Sequence, residues 1–377
     1  MEYRKLGKTG LDVGTIGLGT EYLNEVPRET VVSVVREAVD REVNYIDLFF
    51  AHPEIRDDVG FALEGRRDKV IIAGHLGAAA NEDGQYYKTR DREKCERFLL
   101  DFLTRLRTDY MDVLMLHNVD PEEEYEEMLE KSMDIALRFK EEGKARFIGL
   151  STHKPSVALK AIKNDHIDVL MYPVNLTGDA MPGRKELLNA CVSLGAGLVA
   201  MKPYAGGKLL QKVRSISLEH FQSGWKRYRK DLPVSITPVQ CISYALSQIG
   251  VSTIVPGVKN ADELEAALHF MDATDEEKDF STVITGFGEY LEGGCVYCNH
   301  CLPCPSVIDI GRTIRLLETA QYAISHDLRA DYEALSAKAS ECIQCGSCME
   351  RCPFDVDVIS KMEQAVELFE KEGDSFP

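Results

Sequence analysis

Eight short apolar runs, separated by longer amphipathic stretches, fill the chain from near its start to about residue 275. The runs are Thr15–Gly19, Tyr45–Phe49, Val70–Gly74, Met111–Leu116, Phe147–Leu150, Val169–Pro173, Gly197–Met201 and Ser252–Pro256. Between them Glu29–Arg41, Arg92–Arg107, Glu122–Glu142, Ser156–Lys163 and Ala261–Phe270 read as helices. Strands covered on both faces are continuous apolar or β-branched runs, and parallel neighbours need a crossover helix. Eight such units over this length predict an α/β chain closed into a (β/α)8 TIM barrel. The alternative is an open doubly wound sheet, which more often carries G-x-G-x-x-G after its first strand. Here Gly17-Leu18-Gly19-Thr20-Glu21-Tyr22 lacks the third glycine. Ahead of the first run, Tyr3–Leu6 and Leu11–Val13 flank a glycine-bounded turn and read as a hairpin plugging one barrel end. Between Tyr204 and Pro238 lies an insertion far longer than the usual βα loop. It carries Lys226, Arg227, Arg229 and Lys230 beside Trp225. That cluster reads as a solvated helix face or as a lid gripping a phosphate-bearing cofactor.

The last quarter has a different character. Residues 283–377 hold 7 Lys+Arg and 16 Asp+Glu, so −9 of the chain's net −18 is concentrated there. Eight of the 11 cysteines fall between Cys295 and Cys352. The expected division is therefore a barrel over 1–282 and a second, mainly α-helical ferredoxin-like domain over 283–377. Cys295, Cys298, Cys301 and Cys304 form C-x2-C-x2-C-x2-C before Pro305; Cys342, Cys345, Cys348 and Cys352 form C-x2-C-x2-C-x3-C before Pro353. Cysteines two residues apart present successive thiolates from one turn to a single iron–sulfur cube, while the cysteine before proline reaches the neighbouring cube. The spacing thus predicts two [4Fe–4S] clusters with crossed ligation: Cys295, Cys298, Cys301 and Cys352 on one, Cys342, Cys345, Cys348 and Cys304 on the other. A pair of four-cysteine zinc sites is the alternative, but zinc uses two C-x2-C pairs per site and leaves the remote Cys-Pro unexplained. Cys95, Cys191 and Cys241 fall in helix-like segments and read as inert core thiols.

Net charge of −18 argues against a nucleic-acid surface, which needs a basic face to displace counterions. The apolar runs are of strand length, far short of the roughly 20 residues of a membrane span. MEYRKLGKTG at the start has no apolar leader segment. The expectation is a cytoplasmic protein in a reducing or anaerobic setting. Paired clusters pass single electrons, and their acidic surroundings suit a soluble electron carrier steered by charge.

In such barrels chemistry is built at the C-terminal strand ends. Those ends carry Asp47 and His52, then His75, His117, and Ser151 with His153. Together with Leu106–Asp120 (LRTDYMDVLMLHNVD), Ile148–His153 (IGLSTH), the MKPYAGGKL run from Met201 and the VPGVKN turn from Val255, the chain resembles the aldo-keto reductases. With its two cysteine runs it is similar to the ferredoxin-bearing branch of that family over essentially its whole length.

The resemblance implies a tetrad of Asp, Tyr, Lys and His, in which the Tyr protonates a carbonyl oxygen as a nicotinamide delivers hydride. Asp47 and His117 match it, the tyrosine position falls on His52, and the lysine position falls on His75. It also implies cofactor contacts from Ser151, Asn175, Gly257 and Lys259, with His153 and Lys202 grouped beside them. Met171 replaces the glutamine of the nicotinamide shelf, and Glu263 and Ala267 replace a later Gln and Asn. Glu263 would repel a 2′-phosphate, so NAD is favoured over NADP. The expected function is an iron–sulfur oxidoreductase acting on a small molecule at the barrel mouth through an Asp/His/His/His set, with histidine as general acid. Two alternatives stand beside it: a metal-dependent barrel using Asp47, His52, His75 and His117 as ligands, and a non-catalytic electron-transfer partner.

Overall fold

The computed structural model describes residues 1–82, 84–176, 183–210, 216–219, 227–230, 236–280, 295, 301–320, 326–352 and 355–371. In chain order the strands are β1 (Tyr3–Lys5), β2 (Asp12–Gly14), β3 (Leu18–Gly19), β4 (Tyr45–Leu48), β5 (Ile71–Leu76), β6 (Ala78–Ala80), β7 (Tyr86–Lys88), β8 (Met111–Leu116), β9 (Ala145–Ser151), β10 (Val169–Pro173), β11 (Gly197–Met201), β12 (Ile216–Glu219), β13 (Arg227–Lys230) and β14 (Val251–Val255). Strands β3, β4, β5, β8, β9, β10, β11 and β14 follow one another in a single eight-stranded sheet. Their pairings are parallel, and parallel bridges Ile16–Ile254 and Gly19–Gly257 join first strand to last. The result is the (β/α)8 barrel.

The crossover helices lie outside, each burying one apolar stripe. Arg28–Asp40 shows the rule: Val31, Val34, Val35 and Ala38, at spacings of three and four, are its buried face. Inside, successive side chains alternate across each strand. Tyr45, Ala73, Val113 and Met115 belong to the inner cluster, together with Leu6, Leu11 and Val13 of the plug hairpin β1–β2. That parity aims Asp47, His75, His117 and Ser151 inward, at the C-terminal rim.

Several elements depart from the sequence reading. Glu122–Glu142 is two helices, Glu122–Lys131 and Met133–Glu141, because Ser132 leaves helical geometry at φ −124° and starts a new turn. Between β5 and the Arg92–Leu106 helix the chain inserts the antiparallel hairpin β6–β7, which the run pattern does not reveal. In the long insertion Arg227, Arg229 and Lys230 lie on β13, paired antiparallel with β12, so the helix-face reading gives way to an extended ribbon. Trp225 and Lys226 fall outside the described residues.

Beyond the barrel, Ile310–Ala320, His326–Glu333, Ser347–Glu350 and Val358–Ala365 are helical. Their buried residues, among them Ile314, Leu317, Val358 and Met362, continue the apolar core of the barrel's outer layer. Lys208 of the barrel pairs with Glu318 at 3.3 Å, and the Arg315 guanidinium lies 5.5 Å from the Tyr22 ring centroid. Among the described residues no helix is long and apolar enough to cross a membrane.

Candidate active site

A cleft opens at the C-terminal rim, lined by Asp47, Phe49, His75, His117, Ser151 and His153 among others. Three of the predicted side chains meet on its floor. Asp47 Oδ1 is 2.8 Å from His75 Nε2, and His75 Nδ1 is 2.8 Å from His117 Nδ1. Strand register explains the meeting. β4, β5 and β8 are adjacent and parallel, with Asp47 paired to Ala73 and His75 to Met115, so each rim residue stands one inward position beyond its neighbour's partner, and the tilt of barrel strands brings the three together.

The chain continues to a residue that sequence reasoning missed. His117 Nε2 is 2.6 Å from the Tyr86 hydroxyl, which β7 brings in from the side. Tyr86 is 3% exposed and is boxed by aromatic rings. Phe49 meets it edge-on at 5.7 Å and Phe50 at 6.0 Å, while Phe49 stacks on His117 at 5.3 Å. The available signal was Ala78-Ala79-Ala80 against Tyr86-Tyr87-Lys88 around Asn81 and Gly84, a short hairpin with a turn-forming centre.

His52, at the family's tyrosine position, stands apart from this chain. It precedes the Pro53–Ala62 helix, and its Nε2 meets the Gly84 carbonyl of the hairpin turn. Burial lowers its pKa below the ordinary imidazole value, so it donates as a neutral ring. Arg56, buried on the same helix, donates to the carbonyls of Phe50 and Phe98 at 2.9 and 2.8 Å and fixes the Phe49–His52 segment.

The other predicted cofactor residues divide into those on the cleft and those behind it. Ser151 lines the cleft, and its Oγ accepts from the Asn118 amide at 2.8 Å. His153 lines it too, with Nδ1 3.1 Å from Asp120 Oδ2, and burial pulls its pKa down despite that carboxylate. Asn175 works indirectly: its amide donates to the Lys202 carbonyl at 2.9 Å and supports that residue's left-handed backbone, φ +55°. Lys202 lines the cleft near Glu21, whose carboxyl is pushed up chiefly by burial. At Gly257 a Cβ would come within 2.8 Å of the Tyr22 ring, so only glycine permits this close approach. The cleft extends past it into an outer cavity lined by Lys259, Glu263 and Arg315. There Lys259 Nζ faces Glu263 at 3.5 Å.

For the metal-ligand reading, the donors point the wrong way. Both ring nitrogens of His75, and both of His117, already face another group of the chain. Among the described residues no three His, Cys, Asp or Glu side chains converge on a single metal ion, the thiols of the cysteine domain, spread around a wider cavity, included.

The cysteine domain tests differently. Cys304, Cys342, Cys345 and Cys348, from two separate runs, line one cavity walled by Ile308, Ile310, Val358 and Met362. Four thiols around a largely apolar chamber, with Cys345 at its exposed edge, fit the needs of a [4Fe–4S] cube. The Ser347 amide and hydroxyl pull the Cys345 thiol down, favouring the thiolate. In the other set Cys301 is buried, Cys295 and Cys352 are half-buried, and Cys298 lies outside the described residues. Arg351 joins the two runs by donating to the carbonyls of Cys301 and Pro303 at 2.6 and 2.7 Å. Cys95, Cys191 and Cys241 are buried free thiols pushed up to about 11, 12 and 12 by burial, as inert core residues should be.

Comparison with known proteins agrees with this architecture. Residues 11–284 match the Aldo/keto reductase family, and residues 294–357 match the 4Fe-4S dicluster domain. An uncharacterized oxidoreductase, YqkF, of Bacillus subtilis is 26% identical over 296 residues, covering 74% of this chain and 94% of the relative. L-galactose dehydrogenase of Arabidopsis thaliana is 24% identical over 285 residues, covering 70% and 86%. The solved aldo-keto reductase AKR11C1 of Bacillus halodurans, in its holo form, superposes with a TM-score of 0.60 at 23% identity, covering 74% of this chain and 94% of that one. The chain therefore belongs to the aldo/keto reductase family, as an oxidoreductase whose barrel is followed by a 4Fe–4S dicluster domain.

Proposed function

We propose that this protein couples single-electron transfer through two [4Fe–4S] clusters to oxidation or reduction of a small molecule at the barrel mouth, with a nicotinamide nucleotide as partner in the cleft. The observation that carries this reading is the unbroken hydrogen-bond chain from Asp47 through His75 to His117 on the cleft floor. When bound, the nicotinamide supplies a hydride and the clusters supply single electrons; the chain's own residues handle the proton. Asp47 and His117, kept from the family set, and His75 at its lysine position would carry that proton work, general acid–base catalysis being worth about 10²–10⁴ in rate. Ser151 and His153 supply polar contacts along one wall, and the Lys202 side chain adds positive charge opposite Glu21.

NAD is favoured over NADP because the Glu263 carboxylate occupies the Lys259 turn, accepting from its amide at 3.0 Å, and repels further negative charge. The electron partner is read as a soluble carrier. Around Cys345, Ile343 and Met349 are exposed at 65% and 37%, with Glu341 and Glu350 exposed on the same stretch, an apolar contact rimmed by acid. Eight cysteines required as cluster thiolates fit a reducing compartment, and we place the protein in the cytoplasm.

Anaerobic titration of cluster-loaded protein with NADH and NADPH tests the reading, following nicotinamide fluorescence and cluster absorbance together. NADH should bind about tenfold more tightly than NADPH, a difference of ~1.4 kcal/mol. The reading fails if neither nucleotide binds and a colourless preparation stays silent in paramagnetic resonance after dithionite.

A further inference from the structure

We propose that Tyr86 is the fourth member of the relay: from the end opposite Asp47, its hydroxyl donates to the bare Nε2 of His117 and stabilises the neutral rings that the Asp47 carboxylate orients. With Asp47 ionised, hydrogen-bond direction leaves one self-consistent arrangement. A carboxylate only accepts, so Asp47 takes the Nε2–H of His75. The bare His75 Nδ1 then accepts from His117 Nδ1–H, and the bare His117 Nε2 accepts from the Tyr86 hydroxyl. Every contact has one donor and one acceptor, with both rings neutral. Without the phenol, the far end of the chain would carry a bare nitrogen facing aromatic rings.

The hairpin that delivers Tyr86 is built to hold it. Arg90, just beyond β7, donates to the His117 carbonyl at 2.6 Å and pairs with Glu124 at 3.0 Å. Lys88 reaches the Asn118 carbonyl at 3.0 Å and the same Glu124 at 2.7 Å. Tyr86 is thus clamped to the strand end that carries its partner. It does not line the cleft, so it acts through His117 as a positioning residue.

The use of the relay in turnover rests on the proposed function; the proton arrangement does not, and is measured without substrate. Nitrogen NMR of the full, cluster-loaded, oxidised chain, isotope-labelled at histidine, separates protonated from bare ring nitrogens. His117 should be protonated at Nδ1 and bare at Nε2, with His75 protonated at Nε2. Tyr86→Phe removes the donor that stabilises the bare nitrogen, so His117 takes up a proton at a pH higher by about one unit. Fluorotyrosine at 86 keeps the ring and strengthens the donor, and moves the same titration lower. The charged groups around His117 (Arg90, Lys88 and Glu124 behind it, Glu21, Lys202 and His153 across the cleft) are common to all three proteins. His117 found protonated at Nε2 in the unaltered chain would overturn the proposal. So would a titration indifferent to both substitutions; if the phenylalanine variant does not fold, the fluorotyrosine protein decides alone.

Discussion

A hydrogen-bond chain is defined by single atoms, and the strand-end members of the Asp47–His75–His117–Tyr86 row are legible in the sequence while its far end is not. Asp47 and His117 stand at strand ends whose alternation can be read from apolar neighbours such as Tyr45 and Met115. His75 follows by the same parity. His52 was readable as a tetrad position but not as a residue outside the relay. Its orientation depends on the Gly84 carbonyl of a hairpin that no strand pattern announces. Replacing His117 by Ala should lower turnover by about a hundredfold or more while leaving cluster absorbance unchanged. Equal loss of both signals would make His117 structural. The buried rings also predict a pH dependence of stability. His52 and His153 have pKa values lowered below 6.5, chiefly by burial. The unfolded chain therefore binds protons near pH 6.5 that the native rings refuse. Stability from these rings is full above that pH and is lost as pH falls towards their lower folded values. The melting midpoint should drop by about 2–4 °C per pH unit per histidine in that window. His52→Asn should remove its share of the slope, and an unchanged slope would show that other groups control acid unfolding.

At the scale of elements, tertiary demands overrode local pattern in the connections while the repeating strands and helices stayed readable. Glu122–Glu142 has continuous helical composition, yet the backbone turns at Ser132 to follow the barrel wall. The β6–β7 hairpin has no strand signature because Ala78–Ala80 carry little apolar signal; what makes the strand is burial against the barrel end, with Ala78 and Ala79 fully enclosed. Its anchor is electrostatic and should be separable from the barrel. Arg90 is 9% exposed as a side chain and shares Glu124 with Lys88, whose ammonium burial pulls down. Arg90→Met should destabilise the chain by about 3 kcal/mol, the cost of stranding part of a buried ion pair. Hydrogen exchange should then quicken at the amides of β6 and β7 while those of β8 stay protected. Gly77 gives a second route to the same end. Its φ is +98°, and an added Cβ would lie 2.3 Å from Arg90 Nη1, so Gly77→Ala should loosen the same hairpin. Uniform quickening through β8 would instead mean that the hairpin is part of the barrel's folding unit.

At the scale of the molecule, the sequence already separates an acidic, cysteine-rich end from the barrel and its spacing proposes which four sulfurs go together, but it does not say how their chamber stands to the cleft. The structure brings Cys304 beside Cys342, Cys345 and Cys348, across some 40 residues of chain. The same helix, Ile310–Ala320, contributes Ile310 to that chamber and Arg315 to the outer part of the cleft. Five residues of α-helix span about 7.5 Å, so this cluster site and the cleft are near neighbours across one helix. Glu318 fastens the arrangement, facing barrel Lys208 at 3.3 Å and Lys361 at 3.6 Å. Ligand crossing then has a distinctive genetic signature. Cys304→Ser should remove about half the iron and leave the same residual paramagnetic signal as Cys345→Ser, because both empty one site. Cys352→Ser should pair instead with Cys298→Ser. All four variants should keep the barrel's thermal transition, since the Asp47–His75–His117 chain draws on strands that contain none of these cysteines. If Cys304→Ser and Cys298→Ser gave the same residual signal, each run would ligate its own cluster, and the shared chamber would have to be an accident of packing.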